Sequence, residues 1–145
     1  MRHRKEIDRL KSEMEELFAD LCQVPRLVAP RGGFRPAVDV YRTEDPPTLN
    51  VVVELAGVDP GEVELSVNEG VLLVHGRRGR EPGERRVYQH IEIDYGPFER
   101  RIALGEPVDS DGAQATYDRG LLSIRLPVAK RQTGPVQVKI GRAGA

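Results

Sequence analysis

The chain has 145 residues, 39% of them hydrophobic and 31% charged, a length that suits one domain with appendages. With 22 Lys and Arg against 23 Asp and Glu there is no net field to draw it to nucleic acid. No run of ~18 apolar residues is present to span a membrane, and the single cysteine, Cys22, can close no internal disulfide.

Residues 1–35 read as an N-terminal arm. Its opening Arg2-His3-Arg4-Lys5 is basic, but Glu6, Asp8 and Arg9 follow where a secretion leader needs an apolar stretch, so a cytoplasmic location is expected. Ile7, Leu10, Met14, Leu17 and Leu21 recur at helical spacing, Phe18 widens the stripe, and Glu13, Glu15, Glu16 and Asp20 make the other side polar. The pattern predicts an amphipathic helix over about residues 5–22. Pro25, Pro30, Gly32 and Gly33 then make residues 23–35 a linker. The stripe either docks on its own domain or meets other chains; alone it is too short for a stable free coiled coil.

Over residues 36–128 the period shortens to two. Leu49, Val51, Val53 and Leu55 share one face of a strand, and Val63, Leu65 and Val67 alternate with polar neighbours. Asn68-Glu69-Gly70 turns the chain into the apolar run from Val71 to His75. Phe98, Ile102 and Leu104 alternate with charges, as do Ala113, Ala115 and Tyr117, and Asp118-Arg119-Gly120 turns back into Leu121 to Leu126. About seven short strands with turns between them predict an all-β, immunoglobulin-like antiparallel β-sandwich. The small residues Ala113 and Ala115 leave room for a shallow groove at a sheet edge. Between Gly76 and Gly96 the alternating Val87, Gln89, Ile91 and Ile93 predict a further strand in an excursion too long for an ordinary hairpin. It either covers an edge of its own sandwich or reaches across to another subunit.

Residues 129–145 form a polar tail, except that Val136, Val138 and Ile140 alternate behind Gly134-Pro135. Such a triplet reads as a detachable strand that adds to an edge elsewhere.

No chemistry-bearing constellation emerges. His3, His75 and His90 have no partners at metal-ligand spacing. Phosphate-binding glycine loops and a serine elbow are missing. Asp109-Ser110-Asp111-Gly112 begins like a calcium loop but lacks the later ligands, so it reads as a turn. Arg77, Arg78, Arg80, Arg85 and Arg86 are interrupted by Glu81 and Glu84 and read as a solvated loop without interleaved aromatics. Neither catalysis nor a cofactor is expected.

Ala115-x-Tyr117-x-x-Gly120-x-Leu122-x-Ile124-x-Leu126-Pro127 resembles the signature of the small heat-shock protein family, whose shared unit is the α-crystallin domain. Gly96-x-Phe98-x-Arg100-x-x-x-Leu104 is similar to a second pattern of that family, and Asp39-Val40-Tyr41, Leu55-Ala56-Gly57-Val58 and Asn68-Glu69-Gly70-Val71-Leu72 to a third set. Gly105 and Ala56 stand where prolines are usual, and Val128 where a lysine is. The resemblance implies an ATP-independent holdase that binds unfolding proteins as a dimer-based oligomer, with no nucleic-acid or membrane partner. It implies a homodimer formed by exchange of a strand at Val87, Tyr88, Gln89, His90 and Ile91, as in the family's bacterial and plant branch. A tail motif, Val136-x-Val138 or Val138-x-Ile140, would dock into a neighbour's groove walled by Val63, Leu65, Val67, Ala113, Ala115 and Tyr117. Arg100 is expected in an ion pair at the dimer interface, or else as an ordinary strand-surface arginine. The arm stripe would bind clients and support assembly. The alternative function is a monomeric co-chaperone or adaptor that binds a single partner protein.

Overall fold

The structure, a computed structural model, describes residues 6–14, 33–130 and 135–143. Residues 6–14 are helical, with Ile7, Leu10 and Met14 all exposed. Leu17, Phe18, Leu21 and Cys22 lie outside the described residues. The body consists of β1 (Val38–Thr43), β2 (Thr48–Glu54), β3 (Glu64–Asn68), β4 (Val71–Arg78), β5 (Gly96–Ala103), β6 (Gln114–Asp118), β7 (Leu121–Pro127), β8 (Val136–Val138) and β9 (Ile140–Arg142). They form a five-stranded sheet in the order β1-β2-β7-β6-β9 and a four-stranded sheet in the order β5-β4-β3-β8. The described pairings are antiparallel except that of β6 with β9, which is parallel. The sandwich expected from the alternation is the fold found.

The core fills the space between the sheets with Leu49, Val51, Val53, Leu65, Val67, Leu72, Val74, Leu122, Ile124 and Leu126. Burying side chains of this size contributes roughly 1.5–3 kcal/mol each before chain entropy is subtracted. β2 lies between β1 and β7. Its Asn50, on the face opposite Leu49 and Val51, is buried too, its amide donating to Thr43 Oγ1 at 2.9 Å and the Thr48 carbonyl at 3.3 Å. At Gly76 a Cβ would lie 2.7 Å from the Glu62 carbonyl oxygen and 3.0 Å from the Phe98 ring, so glycine is what lets β4 pass this close.

The two sheets contain the same unit in matching register. In one, Asp59 caps the 3₁₀ turn Pro60–Glu62 ahead of β3, and Leu65 pairs with Val74 and Val67 with Leu72. In the other, Asp109 caps the turn Ser110–Gly112 ahead of β6, and Ala115 pairs with Ile124 and Tyr117 with Leu122. Each hairpin closes through two consecutive positive-φ residues, Glu69 and Gly70 or Arg119 and Gly120, the primed turn that matches strand twist. The acidic turn at Asp109 is thus a capped 3₁₀ turn, and among the described residues no group of three or more His, Cys, Asp or Glu is placed to hold a metal.

One expectation needs correction. Residues 79–95 contain no strand, and Val87 (93% exposed), Tyr88 (47%) and Ile91 (63%) stand in solvent with Gln89 and His90. The excursion therefore covers no edge of its own sandwich; a strand exists only where an edge satisfies its backbone. Within the span read as linker, Phe34 is buried against Phe98 with ring centroids 5.1 Å apart, and Pro36, where the domain was expected to begin, is fully buried.

Candidate functional site

β3 and β6 are the last strands of their sheets before the tail is added, and they bound the same side of the sandwich. Val63, Leu65 and Val67 point inward along the β3 side and are buried. Ala113, just ahead of β6, and Tyr117, within it, are half-buried against the core, while Ala115 is buried. Tyr117 Oη donates to the Leu55 carbonyl at 2.8 Å and so is fixed across the end of the groove. The six residues named for the groove are therefore brought together on two neighbouring edges.

The chain's own tail fills the space between those edges. β8 lies antiparallel on β3, with Leu65 opposite Val138 and Val67 opposite Val136. After Lys139 the chain crosses to the other sheet, and β9 runs parallel to β6 with Ile140 opposite Ala115. Val138 is buried, and Ile140 packs against the core, whereas Val136 is half-buried. The volumes complement each other: the methyl of Ala115 leaves the room that the larger Ile140 takes up. Two contacts extend the seat beyond the apolar triplet. The Ala143 N–H donates to the Tyr117 carbonyl at 3.3 Å, and Arg142 Nη2 donates to Asp59 Oδ1 at 2.9 Å, closing on the cap of the first 3₁₀ turn. Alternation had marked Val136, Val138 and Ile140; the parallel crossing and Arg142 left no pattern to read.

Arg100 lies on the inward side of β5, in phase with Phe98 and Ile102, and donates Nη1 to the Pro36 carbonyl at 2.7 Å. It is thus not an outward strand-surface arginine. Nor is the arginine loop free of aromatics. Arg78 lies 3.8 Å over the Phe34 ring, and Arg80 lies 4.3 Å from the Tyr95 ring centre and 5.0 Å from that of Tyr88. The aromatics are distant in sequence or beyond the cluster's end, and only folding interleaves them. Arg86, and after it Arg80, hold the exposed Tyr88 phenol below the usual phenol range.

What this arrangement can do is bind extended apolar chain by backbone pairing at two edges. Residues 41–141 match the Hsp20/alpha crystallin family. The chain is 32% identical over 130 residues to an 18 kDa heat shock protein of Streptomyces albus G, covering 86% of this chain and 89% of that protein. In structure it resembles the hspA protein of Xanthomonas axonopodis, with a TM-score of 0.59, 33% identity and coverage of 66% of this chain and 94% of the other. A small heat-shock protein from Xylella fastidiosa is similar at a TM-score of 0.56 and 34% identity, over 68% of this chain and 89% of that one. Signature residues, two-sheet topology and these matches agree, and the chain belongs to the Hsp20/alpha crystallin family of small heat-shock proteins.

Proposed function

We propose that this chain is an ATP-independent cytoplasmic holdase, not an enzyme, that works as a dimer-based homo-oligomer and keeps unfolding proteins from aggregating. One observation carries the reading: the groove between β3 and β6 is occupied by a short apolar segment held through backbone pairing and the side chains of Val138 and Ile140. A neighbour's tail offers the same segment, so exchange between own and neighbouring seats is domain swapping with little net cost. Two anchors, less the ordering of the tail, give weak binding of about millimolar to micromolar strength. An emptied seat presents two unpaired strand edges and an apolar floor. Clients that lose tertiary packing expose matching edges and apolar surface, and mass action alone then favours capture.

The exchange segment supports the dimer half of the reading. Val40 points to the inner face, opposite Val51, yet is 47% exposed, and among the described residues no strand pairs with the outer edge of β1. The exposed Val87 and Ile91 of a partner would suit that edge. The exposed helix residues Ile7, Leu10 and Met14 add a second adaptable surface. The relative from Xylella fastidiosa is described as having a distinct high order structure, in keeping with assembly here.

A monomeric adaptor is the competing reading, and the tail's seat on its own groove favours it, because a self-satisfied groove needs no neighbour. Light scattering combined with a heat-aggregation assay lacking ATP separates the two. A many-subunit particle that suppresses client aggregation is expected; an inert monomer at every concentration overturns the proposal.

A further inference from the structure

A ladder of alternating rings and guanidinium groups climbs from the core to the surface at the end of β4. Phe98 packs edge-on against Phe34 at an interplanar angle of 62°. The Arg78 guanidinium stands 3.8 Å from the centre of Phe34 and 5.6 Å from that of Tyr95. Arg80 continues between Tyr95 and Tyr88, donating Nη1 to Tyr88 Oη at 3.1 Å. Arg78 is also fixed edge-on. Its Nε and Nη2 donate to the Asp94 carbonyl at 2.9 and 2.6 Å, and Nη1 reaches the Ala56 carbonyl at 3.4 Å.

The two segments held by this guanidinium matter for assembly. Phe34 is where the arm joins the body, its N–H donating to the Pro97 carbonyl at 3.3 Å. Asp94 and Tyr95 are where the excursion rejoins β5. We propose that Arg78 is a positioning residue that couples these two roots, so that the arm and the excursion loosen or tighten together. Carbonyls fix the plane of the fork, and its face then serves both rings; shifting either root spoils the stack for the other. A lysine, lacking the planar fork, cannot bridge in this way. The significance for assembly rests on the reading of the excursion as the exchange segment; the coupling itself does not.

Coupling of this kind is reciprocal, and that supplies the test on the full chain. Removing the ring in Phe34→Leu is expected to speed tryptic cleavage at Arg86, within the excursion, by about three-fold or more, the loss of one cation–π contact. Tyr95→Leu is expected to speed hydrogen exchange of the Phe34 amide by a similar factor. Arg78→Lys should produce both effects, and adding Phe34→Leu to it should change cleavage at Arg86 no further. Unchanged cleavage in Phe34→Leu, or effects that multiply in the double variant, would overturn the proposal. Phe34 is buried, so if its variant fails to fold the half-exposed Tyr95 site decides alone: an unaltered Phe34 amide sinks the coupling. Particle size is read in parallel, so a monomer with coupled roots refutes the assembly reading and leaves this one standing.

Discussion

Arg100 lies on the inward face of β5 between Phe98 and Ile102, and its guanidinium donates to the Pro36 carbonyl 2.7 Å away. A charged donor to a largely buried acceptor is worth about 1.5–3 kcal/mol, and more is lost if the carbonyl is left dry. We expect Arg100→Ala to lower the thermal midpoint and, if the arginine also serves the dimer, to make subunits separate at higher concentration than the parent. A lowered midpoint with unchanged dissociation on dilution would confine it to anchoring Pro36. The parity of Phe98, Ile102 and Leu104 puts Arg100 on the inward face, but a third charge in a row with Glu99 and Arg101 reads as surface, and its acceptor at Pro36 is 64 residues away in sequence. Phe34 and Asn50 were illegible for a related reason. A lone phenylalanine among prolines and glycines has no periodicity to report, and a buried amide is recognisable only once Thr43 stands beside it.

At the level of elements, local chemistry decided what could be read. The two hairpins were plain because Asn68-Glu69-Gly70 and Asp118-Arg119-Gly120 are polar turn sequences with a glycine at the second positive-φ position, and alternation on either side fixes the inward face. The excursion at Val87–Ile91 has the same alternation without a strand, because period identifies a chain that can pair and says nothing about whether an edge is present. That distinction makes a prediction. Val87 and Ile91 are 93% and 63% exposed, so Val87→Lys with Ile91→Lys removes little packing from the single chain and should leave its thermal midpoint within about a degree. If these residues are buried against a partner's edge, the same pair weakens the dimer by roughly ten- to a hundred-fold in concentration units. Sedimentation over a dilution series measures this, and an unmoved dissociation constant would remove the segment from the interface.

On the scale of the whole molecule, the groove and the tail form a lock whose key is carried by every copy. In the proposed assembly a neighbour's tail seated in the register of the own tail would make the same contacts, so the balance between the two would be set by the local concentration of neighbours and not by fit. Each seat in such an assembly would be weak while the whole is firm, and each could open without dismantling the rest. Val138 and Ile140 supply the apolar part of the seat, whereas Val136 is half-buried and pairs with Val67. Truncating Val138 and Ile140 to alanine removes roughly 3–4 kcal/mol of burial per tail at most, which exceeds what so weak a contact has to spare. Light scattering should find that variant reduced towards dimers, while Val136→Ala retains most of the parent's size. If both variants keep the parental particle, tails do not hold the oligomer together. If Val136→Ala alone collapses it, the seat between subunits uses the register one step earlier than the one the tail adopts on its own chain.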